Sequence, residues 1–124
     1  MHLVLLDPVP VGKDHIYMVT SSIEAAMKRM PQADLSCVDL TTGKVVWKQP
    51  KVGRYHAALL RTGDGKLLLH SDSGDLAQIE PNAKEYKELA KSKVCGQTWA
   101  HPALAGWRLY IRDDKELIYL KLAE

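Results

Sequence analysis

Three residues open stretches of the same design. Asp7 begins DPVPVGKDHIYMVTSS, His56 begins HAALLRTGDGKLLLHSDSGDLAQIEP, and His101 begins HPALAGWRLYIRDDKELIYLKL. Imidazole and carboxylate are good ligands for zinc or another divalent transition metal, provided three or four of them converge. A metal held by Asp7, His56 and His101 with one position open would activate water for hydrolysis of an ester or phosphoester. The competing reading is bland: a polar residue at the start of a strand is expected wherever water reaches it.

Other residues with chemical potential read as structure. His70 lies within Leu67-Leu-Leu-His-Ser as a strand residue satisfied by a partner, His15 starts a strand at the surface, and His2 is near the terminus. Ser21-Ser22 and Ser71-Asp72-Ser73 lack the G-x-S-x-G setting of a nucleophile elbow and read as cap and turn residues. Gly63-Asp64-Gly65 and Gly74 are hairpin glycines, because no helix follows them to make a phosphate loop. Cys37 and Cys95 match no metal spacing and read as buried free thiols, with a disulfide as the alternative. Arg108, Tyr110 and Arg112 share one strand face, which reads as solvated.

The elements that position these residues repeat. His56 and His101 are 45 residues apart, and Asp7 and His56 are 49 apart, the first unit carrying an insertion. A period of about 40–50 with several strands per unit is the signature of a β-propeller blade. Unit one, residues 7–50, has strands at Val9–Val11, Ile16–Thr20, Leu35–Asp39 and Lys44–Lys48. Unit two, 54–95, has them at Ala57–Arg61, Lys66–Ser71, Asp75–Glu80 and Tyr86–Lys91. Unit three, 99–122, has only Ala103–Ala105, Arg108–Arg112 and Glu116–Lys121. The turns Thr41-Thr42-Gly43, Gly63-Asp64-Gly65, Asp72-Ser73-Gly74 and Asp113-Asp114 are hairpin signals. The insertion from Ser21 to Pro31 reads as a short helix, capped by Ser and apolar at Ile23, Met27 and Met30.

The segment Leu35-Ser-Cys-Val-Asp-Leu-Thr-Thr-Gly-Lys-Val-Val-Trp47 resembles the blade motif of the PQQ-like (quinoprotein alcohol dehydrogenase-like) propellers. Cys37, Asp39, Thr42, Gly43 and Trp47 carry the likeness. Asp39 and Thr42 are placed to bond turn backbone, Gly43 to take a positive φ, and Trp47 to dock between blades. Unit two departs from the motif: Gln78-Ile79-Glu80-Pro81-Asn82 stands in its place, without the Trp. The resemblance implies a propeller that is either a quinone-dependent dehydrogenase or a cofactor-free scaffold. The residues that hold quinone and calcium have no match here, nor does an adjacent cysteine pair, so PQQ is not expected.

Three units are too few to close a ring, since propellers have about 4–8 blades. The expected architecture is therefore all-β, a partial propeller of about three four-stranded blades completed by oligomerisation. The strand-like segment His2–Leu6 would supply the fourth strand of unit three in another copy, making a six-bladed homodimer with Asp7, His56 and His101 of each chain around its axis. A fragment of a longer propeller is the alternative. With 46% apolar and 26% charged residues and net charge +2, the chain belongs with globular proteins. That charge carries no field for nucleic acid, and no stretch approaches the ~20 apolar residues of a membrane span. The expected partners are the chain itself and an unidentified protein or small ligand. Its expected location is cytoplasmic by default, although members of the resembling family are often periplasmic. The expected function is non-catalytic binding or scaffolding, and the alternative is the metal-dependent hydrolase.

Overall fold

A computed structural model describes residues 3–5, 8–22, 32–98, 100 and 102–122. These are all β, with three antiparallel sheets and no helix among the described residues. The first sheet holds β1 (Leu3–Leu5), β2 (Val9–Val11), β3 (His15–Ser22), β4 (Ala33–Asp39) and β5 (Val45–Gly53). The second is a meander of β6 (Ala57–Arg61), β7 (Leu67–Ser71), β8 (Asp75–Ile79) and β9 (Glu88–Lys93). The third has β10 (Ala103–Ala105), β11 (Arg108–Arg112) and β12 (Leu117–Lys121). All eleven strands expected from the hairpin signals of the three units are present, the largest displacement being at the end of β5, which runs on from Lys48 to Gly53.

In the first unit Leu3–Leu5 pairs with β3 of its own chain, with Leu3 opposite Ser22 and Leu5 opposite Thr20. β2 pairs the other half of the same β3 edge, with Val9 opposite Tyr17, and the register shifts by one residue between the two. β3 is eight residues long and β2 only three, so β1 covers backbone that β2 cannot reach. Five strands therefore occupy four positions. Ser21 and Ser22, expected to cap a helix, are instead the last residues of β3, with Ser21 paired to Ala33. Residues 23–31 lie outside the described residues, and so do Trp99 and most of the expected helix.

Side-chain parity explains how the sheets pack. Tyr17, Val19, Leu35 and Cys37 of the first sheet share a core with Ala57, Leu59, Leu67, Leu69 and Ile79 of the second. The opposite face of the second sheet, through Leu68, shares a smaller core with Leu109 and Ile111 of the third, with Leu60, Leu76, Ile118 and Leu120 around it. The middle of the second sheet is thus covered on both faces: all five residues of β7 are buried, while its outer strand β9 stays exposed. That is why Leu67-Leu68-Leu69 shows no polar alternation. β12, covered on one face, alternates as expected, with Ile118 and Leu120 half-buried between exposed neighbours.

Carboxylates tie the connections between sheets. Asp72, 1% exposed at the end of β7, accepts N–H bonds from Arg54 (2.8 Å), Tyr55 (2.7 Å) and His56 (3.4 Å), the segment that leads into β6. Its backbone N–H donates to His56 O and its carbonyl accepts from Thr98 N–H, so one residue holds three segments. Asp113 does similar work for the third sheet. It accepts from Gly96, Lys115 and Glu116 N–H, and these bonds hold its carboxyl below the usual range. Gly74 turns β7 into β8 at φ +98°, where a Cβ would lie 2.1 Å from Cys95 O, so only glycine fits.

Two-sided burial makes a discriminating prediction. Leu67→Ala and Leu68→Ala should each cost about 3 kcal/mol, although they point to opposite faces. Chemical denaturation measures both; a strand covered on one face would show the loss at only one of the two. Asp72→Ala should likewise cost about 3 kcal/mol in the same assay, because three N–H groups lose a charged acceptor.

Candidate functional site

His56 is the one member of the expected metal set that the structure describes. It is half-buried, and its backbone N–H and carbonyl are both bonded to Asp72. Asp7 and His101 lie outside the described residues. Among the described residues no group of three or more His, Cys, Asp or Glu side chains is placed to hold a metal ion.

His70 is mid-strand, as expected, and 2% exposed, with its Nε2 3.6 Å from Cys95 Sγ. A Cys–His contact invites a nucleophile reading, but the environment opposes it. Burial pushes the Cys95 thiol up, and the negative charge of Asp113 pushes it further. The thiol also lies 3.2 Å from Gly96 O, its hydrogen-bond acceptor. Cys37 is raised by burial and by Asp39. Both cysteines are free and buried.

The turn and tryptophan of the first unit form the joint between the first two sheets. Asp39 Oδ1 accepts Thr41 N–H, Thr42 Oγ1 accepts Lys44 N–H, and Gly43 has φ +74°. Trp47 meets Tyr17 edge-on at 5.0 Å and Tyr86 at 6.0 Å. Its Nε1–H donates to Asn82 O at 3.0 Å, and the Tyr17 hydroxyl is bonded to both N–H and carbonyl of Asn82. Asn82 belongs to the stretch that departs from the motif, and its side chain does a turn's work there, accepting from Lys84 and Glu85 N–H. Sequence reasoning missed this residue as a partner for Trp47; the Pro-Asn pair marked a turn but not what would land on it.

Burial raises the hydroxyls of Tyr17 and Tyr86, the latter with a further contribution from its bond to Glu88. Both pKa values are higher folded than unfolded. The contribution to stability is therefore complete below the ordinary value of 10.0 and is lost as pH rises through the folded values. Phenolate absorbance during alkaline titration should show two of the five tyrosines ionising late, together with unfolding. The Tyr17→Phe, Tyr86→Phe double variant should lack that late phase.

Among the described residues, openings flank the second sheet on two sides. One is a groove between β5 and the β8–β9 hairpin, with a cleft of about 380 Å³ where Lys51, Arg54 and Lys91 meet Ser73 and Asp75. A neighbouring hollow shares Arg54 and Ser73 and adds Lys93. At this groove β5 bulges: Pro50, Lys51 and Val52 lie between Gln49 and Gly53, whose partners Leu35 and Ala33 have only Asp34 between them. Lys51 is a non-glycine residue in the left-handed region, at φ +59°, and its N–H donates to Asp34 Oδ1 at 3.1 Å. Asp34 is fixed in turn by Gln32 Nε2 at 2.7 Å and Lys48 Nζ at 3.5 Å.

The other opening, about 440 Å³, lies between the second and third sheets and is lined by Leu68, Leu76, Ala90, Ser92, Trp107 and Leu122. It arises because the second sheet is four strands wide and the third is three. Among the described residues nothing pairs with the outer edge of β12. The far face of the third sheet carries Tyr110 and Tyr119, paired at 5.5 Å and 37% and 51% exposed, beside Leu117. No helix among the described residues is long and apolar enough to cross a membrane.

Compared with protein-family models and with curated proteins, the chain matches none.

Proposed function

We propose that the chain is a three-blade segment of the PQQ-like propeller type, a non-catalytic binding and scaffolding module that closes by association with a second copy. The observation that carries this reading is the edge of the third sheet that stays open among the described residues. This edge, formed by β12, runs beside the cleft lined by Leu76, Ala90 and Leu122, where a fourth strand would lie. An unpaired edge over an apolar floor is a template for strand addition.

The occupant in this proposal is the apolar segment His2–Leu6 of the second copy. Within one chain Leu3–Leu5 makes only three residue pairs with β3 and is out of step with β2, so its exchange disturbs little else. The reciprocal exchange gives two identical contacts and a closed two-fold assembly of six blades. Tyr110, Tyr119 and Leu117 on the outward face of the third sheet would be covered by the first sheet of the second copy, as the second sheet covers Leu109 and Ile111. A scaffold needs no reacting group, and the buried, raised thiols are consistent with that.

Size-exclusion chromatography with light scattering tests the proposal. The wild-type chain should be a dimer at micromolar concentration. Ala90→Arg fills the cleft from an exposed position and should weaken the dimer at least about tenfold while the strand content stays unchanged. A wild-type chain that is a folded monomer from micromolar to millimolar concentration overturns it.

A further inference from the structure

We infer that the groove between the first two sheets, at Lys51, Arg54 and Lys91, is a binding site for a small polyanion carrying two or more closely spaced negative charges. Three cations and one carboxylate, Asp75, line a cleft of about 380 Å³, a volume suited to a small molecule. Among the described residues no carboxylate pairs with Lys51, Arg54, Lys91 or Lys93 within ion-pair distance. Like charges gathered on opposite walls of a groove repel, so an anion between them gains from several at once. The guanidinium of Arg54 can grip two oxygens together, as phosphate or carboxylate recognition requires.

Two further features mark the site as built. The first is Lys51 itself: a lysine held at φ +59° spends conformational energy that glycine would save. The Asp34 carboxylate holds that conformation by accepting the Lys51 N–H, and Lys48 and Gln32 fix the carboxylate. The second is Ser73, whose Oγ lies 2.9 Å from Ser71 Oγ, while Ser71 Oγ also accepts Asp75 N–H. Ser73 thereby places a hydroxyl, able both to donate and to accept, on the wall of the cleft. The other carboxylates nearby have hydrogen-bond partners of their own: Asp72 accepts the N–H groups of residues 54–56, Asp34 the Lys51 N–H, and Glu88, which lines the adjoining part of the groove, the Tyr86 hydroxyl.

Isothermal titration calorimetry of the full chain with pyrophosphate and with citrate, at low and at moderate salt, tests this. Saturable binding of either is expected, weakening as sodium chloride rises. Tighter pyrophosphate assigns a phosphorylated ligand, and tighter citrate a polycarboxylate. Arg54→Ala and Lys91→Ala should each weaken binding about tenfold, and Lys115→Ala, on the β11–β12 turn outside the lining of the groove, should not. Lys51→Gly is the decisive variant. It removes a charge and relieves the backbone, so it should raise the Tm while weakening the polyanion. Absence of saturable binding for both anions at low salt overturns the inference. So does binding that Arg54→Ala, Lys91→Ala and Lys51→Gly leave unchanged. Oligomeric state does not enter, so failure here and failure of the self-assembly reading are separate results.

Discussion

Everything in this chain leans on the second sheet being buried from both sides. Leu67 and Leu69 serve the larger core with the first sheet, and Leu68 serves the smaller core with the third. A meander of short strands has too little apolar surface on one face to hold itself together. Sharing β7 between two cores lets three small sheets act as a single stack. The same sharing explains the lopsided stability expected of the molecule, since the first interface is rich in buried side chains and the second has few.

Polar groups keep the stack in register where apolar contact cannot. Trp47 and Tyr17 from the first sheet both bond the backbone of Asn82 in the second, which fixes the sliding and tilt of one sheet on the other. Asp72 and Asp113 perform the equivalent task at the connections, each gathering N–H groups that would otherwise be stranded in a bend. Directional bonds contribute modestly to stability but decide geometry, and the two openings between sheets owe their shapes to them. The groove at Lys51 is held open by such bonds, from the bulge in β5 to the Asp34 carboxylate behind it.

The strand content was legible because its signals are local. Period-2 alternation in Ile118, Leu120 and Leu122, and turn pairs such as Asp72-Ser73-Gly74, depend only on neighbours in the chain. The Asp39-Thr42-Gly43 turn bonds as its residue types require. The candidate site was far less legible. Lys51, Arg54 and Lys91 are 40 residues apart at the extremes, in segments that looked like ordinary charged edges. Only the bulge after Pro50 and the packing of β5 beside β8–β9 put them in one groove. The Asp7, His56 and His101 set was suggested by repeat position, and the described residues bring only His56 into view.

The sequence by itself determined that this is a β-protein of short antiparallel hairpins in three successive units, since pleat periodicity and turn chemistry are written in adjacent residues. It also determined that Trp47 would be a joint between units, because a large amphipathic ring after such a turn has to find both an apolar wall and an acceptor. Tertiary structure alone showed what β1 pairs with inside its own chain. A three-residue strand has no local signal for its partner, and the free stretch of β3 backbone supplied one. It also decided which surfaces stay open. An opening is a property of what fails to pack, and the three-strand width of the third sheet among the described residues matters only beside the four-strand sheet it faces.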